Sequence, residues 1–122
     1  MSSGNISLLT LTVKAAGALA ACRFVKQDGN YPAAGGNAFG VTRSSAALAG
    51  DLVPVDVMGT AIVEVGGAVV VDDLVMADAS GRAVKATVGS KFTLAKVMEA
   101  GNTGATVEVL LIPNAGYVTA AS

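Results

Sequence analysis

The chain is 122 residues long, 52% apolar and only 14% charged, and eight Lys and Arg against nine Asp and Glu leave a net charge of −1. That length supports one domain around one core, and the scattered cations exclude the phosphate track of a nucleic-acid binder. With no histidine and one cysteine, Cys22, the commonest general base, a thiolate metal site and an internal disulfide framework are all excluded.

Average soluble domains are roughly 25% charged, so a chain this poor in charge is expected to hide part of its surface against partners. Three Phe, two Tyr and no Trp leave a lean core, which small β-branched side chains on thin sheets can fill.

Residues 1–13 begin polar and small, then present Ile6, Leu8, Leu9, Leu11 and Val13, with no acidic residue before Asp28. Apolar side chains fall on both faces of this segment, more than a strand buried on one face needs. Two readings are open. It is a core strand of its own domain, or an arm of about 40 Å when extended that adds to the sheet edge of a neighbour. Those five residues are the candidate interface. Leu19-Ala20-Ala21-Cys22 has the small residues that precede a lipid-modified cysteine, but the uncharged start and Lys14 within the apolar run do not fit a secretion signal. Uncharged apolar stretches fall short of the ~20 residues that span a bilayer. A cytosolic protein with no membrane partner is expected, and Cys22 reads as a small buried residue.

Residues 21–26 predict a second strand with Cys22 and Phe24 on one face, followed by a Gly, Asn and Pro-rich loop over 27–36 and a short strand over 37–42. Ser44-Ser45-Ala46-Ala47-Leu48-Ala49 is the one stretch with helical character. From 51 to 65 the odd positions are nearly all Val, which predicts two half-buried strands with a bend or bulge at Met58-Gly59-Thr60; Pro54 marks an edge or a strand start. Further strands are expected over 68–71, 74–77, 83–88, 92–98 and 105–112. The structural turns between them are placed at Gly50 and Asp51, at Asp72-Asp73, and at Asp78 to Gly81, where Gly81 is expected to take a positive φ. The pattern is that of an all-β, single-domain β-barrel or β-sandwich with short strands and Gly-rich turns. The expected layout is a strand or arm over 1–13, a β domain over 14–113 and a tail over 114–122.

No catalytic constellation emerges. Asp72 and Asp73 are adjacent, so on a strand they point to opposite faces and suit a turn better than shared acid–base work. The spacing of Asp72 and Asp78 does not supply a calcium loop, no serine has a histidine partner, and Gly35-Gly36-Asn37 does not open a helix as a phosphate cradle requires. No enzyme activity, metal or cofactor is expected. A small β carrier domain is the alternative, with Lys85 or Lys96 as the modified residue, but neither sits at a hairpin tip in the signature such domains carry. Another self-associating β interaction module is the remaining one.

The succession Phe39-Gly40-Val41-Thr42, Ala49-Gly50-Asp51-Leu52-Val53-Pro54-Val55 and Gly59-Thr60-Ala61 continues through Val75 to Val84, Leu94 to Ala100 and Val107 to Pro113. In order and spacing it resembles the capsid cement, or head-decoration, proteins of tailed bacteriophages, over about residues 36–113. The resemblance implies a compact β domain that oligomerises, as a trimer or dimer, on the outside of a mature capsid assembled in the host cytoplasm. There it would bridge major capsid protein subunits against internal genome pressure. Ile6, Leu8, Leu9, Leu11 and Val13 are then candidates for a capsid or subunit interface.

Overall fold

The computed structural model describes residues 6–86 and 93–112. Among these the fold is all β. Its strands are β1 (Ser7–Lys14), β2 (Phe24–Val25), β3 (Gly40–Thr42), β4 (Leu52–Glu64), β5 (Leu74–Ala77), β6 (Ala83–Lys85), β7 (Ala95–Val97) and β8 (Thr106–Leu111). They form one sheet in the order β2-β3-β4-β8-β7-β5-β6, with β1 also on β4, and every ladder is antiparallel.

The organising element is β4. Within residues 51–65, Leu52–Glu64 form one 13-residue strand where two were expected. Up to Gly59 it pairs with β1, and from Thr60 onward it pairs with β8. Gly59, at φ +96°, is the pivot: a Cβ there would strike the Ile6 carbonyl. A single glycine without Asn, Asp or Pro beside it re-aims a strand as a bulge does, but does not reverse it. The Val alternation runs straight through the pivot, so Val53 and Val55 are buried on one side of it and Ala61, Val63 and Val65 on the other.

Each half of β4 therefore serves its own core. Beyond Gly59, β4, β8, β7, β5 and β6 curl until Val65 bridges Ala83 in parallel, and the Gly66 N–H donates to the Ala83 carbonyl at 2.8 Å. This nearly closed barrel encloses Val63, Val75, Val97, Val107 and Val109. Before Gly59, β1, β2 and β4 contribute to a smaller cluster of Val13, Leu19, Val25, Val53 and Val55. Full burial of each Val contributes roughly 1.5–3 kcal/mol, so a lean core suffices when it is divided into two thin ones.

Three expected elements take another form. The strand over 68–71 is reduced to a bridge between Val69 and Gly101. Val70 and Val71 leave the sheet because the Val70 N–H binds the Asp73 carboxylate at 3.0 Å and Asp72 turns the chain at φ +74°. The strand over 21–26 shortens to β2 because Cys22 has φ +62°. Residues 44–49 form no helix. Ala46 bridges Leu19, and the Asp51 carboxylate takes the N–H groups of Ala47 and Leu48, both at 3.1 Å. Parts of the strands expected over 83–88 and 92–98, and the whole tail over 114–122, lie outside the described residues.

Candidate interaction surface

The segment with two open readings pairs with its own chain. β1 runs antiparallel to the first half of β4, from Ser7 opposite Gly59 to Lys14 opposite Leu52, with register shifts around Leu9. Strand pairing alone does not bury it. Leu8 is 74% and Ile6 67% exposed, and Leu9 and Leu11 are about 40% exposed. Val13 differs from its four companions. At 3% exposure it packs in the smaller core with Leu19, Val25 and Val53, the last of which lies opposite it in the ladder.

The hydrogen-bond phase of β1 follows from Pro54, which lies opposite Thr12. Proline has no N–H, and the Pro54 carbonyl accepts from Arg43 on the β3 side. The β4 groups that face β1 are thus those of Val53 and Val55, which engage Val13 and Leu11. By the alternation of an antiparallel ladder, Thr10, Thr12 and Lys14 turn their backbone groups the other way. β1 has no second neighbouring strand among the described residues, so this side is an open edge at Thr10 and Thr12, while Gly29 covers it at Lys14 and Ala16.

Beside the edge lies an apolar groove of about 390 Å³, walled by Leu9 and Leu11 from β1, Val57 and Met58 from β4, and Phe39 and Ile112 from the facing segments. None of its lining residues is charged. One carboxylate stiffens the sheet behind it. Asp56 is buried, its Oδ1 accepts the Thr10 hydroxyl at 2.9 Å, and its Oδ2 pairs with Arg43 Nε at 3.5 Å. Burial of a carboxylate is tolerated only with such partners, and here they tie β1 and the end of β3 to β4.

The structural turns lie elsewhere. Gly50, at φ +93°, and Asp51 close the β1–β4 ladder, where the Gly50 N–H donates to the Ala15 carbonyl. Asp78 and Gly81 shape the β5–β6 hairpin: Asp78 Oδ1 accepts from the N–H groups of Ser80 and Arg82, both at 2.9 Å, and Gly81 has φ +78°. The hairpin tip docks on β2 through the Phe24 N–H, which donates to the Gly81 carbonyl at 2.7 Å. An ion cluster holds it there, since Glu64 pairs with Arg23 at 3.1 Å and with Arg82 at 3.7 Å, and Arg82 with Asp78 at 3.4 Å. Cys22 is half-buried next to this cluster. Burial foremost, then the Glu64 charge, pushes its thiol pKa up, against a lowering by Arg23, so the neutral thiol is favoured.

Of the five candidate interface residues, Leu9 and Leu11 line the groove, Ile6 and Leu8 are exposed, and Val13 sits in the core. Sequence reasoning missed the far wall of the groove, Phe39, Val57, Met58 and Ile112. The available signal was Val57-Met58, an apolar pair on both faces of a strand. Among the described residues no group of three acidic or cysteine side chains is placed to hold a metal, and no helix is long and apolar enough to cross a membrane.

Residues 1–112 match a family model described as phage cement protein. Comparison with curated proteins finds no match. Among solved structures the fold is similar to that of the head fiber gp8.5 N base of bacteriophage phi29, with a TM-score of 0.71 over 86% of this chain and 94% of that one, at 19% sequence identity.

Proposed function

The chain belongs to the phage cement protein family, and from that premise we propose that it binds the outer surface of a bacteriophage capsid as a homo-oligomer and cements contacts between major capsid protein subunits. A capsid-associated structural role comes with the family, and the similarity to a phage head fiber base is in keeping with it. The observation that carries the finer reading is the exposed apolar run of Ile6, Leu8, Leu9 and Leu11, the last two of which line the uncharged groove. A monomer that stays free in solution rarely keeps so much apolar surface together.

The physics of cementing asks for no catalysis. A protein that binds the assembled shell and not its separated subunits stabilises the shell by mass action. Each copy that touches two neighbours makes its second contact at high effective concentration. The protein is accordingly read as a non-enzymatic virion component that needs no cofactor, with the major capsid protein and itself as partners.

Mixing the purified protein with capsids that lack it, followed by sedimentation, tests the reading. Saturable co-sedimentation at a fixed ratio to capsid subunits is expected. A protein left wholly in the supernatant at micromolar concentration refutes it.

A further inference from the structure

We infer that the open edge of β1, with the apolar face beside it, is where a second copy of this chain docks, strand against strand. The inference rests on the proposal that the protein self-associates, and it assigns that association to a surface.

Edge strands of stable monomers are blunted by short length, by proline or by charge in the middle of the edge. β1 has few of these protections. It is eight residues long, contains no proline, and its one charged residue, Lys14, is its last. A bulge guards only the Ser7–Thr10 end. The outward backbone groups of Thr10 and Thr12 are thus presented, up to the point where Gly29 packs against the Lys14 carbonyl and takes the Ala16 N–H on its own carbonyl at 3.1 Å. An antiparallel pair of β1 strands centred on Leu11 joins these groups, sets each Thr10 opposite a Thr12, and keeps the two Lys14 ammonium groups apart.

Side chains favour the same occupant. Ile6, Leu8, Leu9, Leu11, Met58 and Ile112 are all substantially exposed. Together they present on the order of 600 Å² of mostly apolar surface, close to the ~800 Å² that each partner gives to a stable interface. Because the groove beside them has no charged lining, a matching uncharged face meets it without desolvating an ion. A second β1 supplies that face and the complementary backbone edge at once.

Pro54 suggests a selective test. The Thr12 N–H points away from β4, so Thr12→Pro removes an outward donor and blocks the edge while the Leu11 and Val13 bonds to β4 remain. The full chain, Thr12→Pro and Leu8→Lys are compared by sedimentation velocity from 1 to 100 µM, with circular dichroism to verify folding. The expected result is an oligomer for the parent and association at least 100-fold weaker for Thr12→Pro, with an unchanged spectrum. Leu8→Lys, at an exposed position, is expected to weaken association as well and decides the matter if Thr12→Pro does not fold. A monomeric parent, or a folded variant that associates like the parent, overturns the inference. Capsid co-sedimentation of the same proteins is read separately. Loss of self-association without loss of capsid binding supports the inference and leaves the capsid reading intact. Association that responds to the variants in a protein that never binds capsids supports the inference and refutes the capsid reading.

Discussion

Replacing Gly81 by alanine tests how the β5–β6 hairpin is locked onto the rest of the domain. Two costs are expected at this position. At φ +78° an L-residue carries a left-handed penalty of about 1–2 kcal/mol. The added Cβ also lies 2.6 Å from the Phe24 carbonyl oxygen, 2.7 Å from Tyr31 Cδ1 and 3.2 Å from Arg23 Cβ. A carbonyl held in the β2 connection cannot swing aside, and overpacking of this kind costs roughly 1–3 kcal/mol. The sum, about 2–5 kcal/mol, is a large part of the ~5–15 kcal/mol that stabilises a typical domain. Gly50 is the control. Its φ is +93°, but a Cβ there meets nothing within 4 Å, so Gly50→Ala should cost only the backbone term, about 1–2 kcal/mol. Urea melts followed by far-ultraviolet circular dichroism measure both. Gly81→Ala should lie well below Gly50→Ala in midpoint at equal m-value. If the two variants melt together, the docking of the hairpin on Phe24 and Tyr31 is wrong.

Two further outcomes follow from buried and half-buried polar groups. Asp56→Ala strips the Thr10 hydroxyl and Arg43 of their carboxylate partner and should cost about 1–3 kcal/mol in the same urea assay; a change within 0.5 kcal/mol would remove Asp56 from the account of how β1 is held. The raised Cys22 thiol pKa means the folded state holds its proton more tightly than the unfolded chain. This contribution to stability is complete below the unfolded thiol's pKa and declines as pH rises through that value toward the folded one. Reaction of Cys22 with a thiol reagent should therefore reach its alkaline plateau at higher pH in the folded protein than in urea, and a lower folded midpoint would contradict the placement.

Local chemistry was legible in the amino-acid sequence, and long-range geometry less so. The odd-position valines around Val53 to Val65 announce strand structure because side-chain alternation is a local property. What Gly59 does is decided by the Ile6 carbonyl more than fifty residues away, so the same glycine read as a break between strands proves to be the pivot of one. Val70 and Val71 have strand propensity, but the Asp73 carboxylate captures the Val70 N–H and turns the chain out of the sheet. For the interaction surface, apolar residues on both faces of residues 6–13 pointed to β1. The burial of Val13 was not readable, since Leu19, Val25 and Val53, which cover it, come together only in the fold. The groove wall was hidden for the same reason: Phe39 and Ile112 meet β1 through tertiary packing alone.

The cementing claim is tested most directly by the heat stability of the capsid itself. DNA-filled capsids that lack the protein are warmed with and without a saturating amount of it, and genome release is followed by dye fluorescence. The account predicts release at a higher temperature when the protein is bound, with the gain saturating at the same stoichiometry as binding. Full occupancy of the capsid with no shift in the release temperature would contradict it.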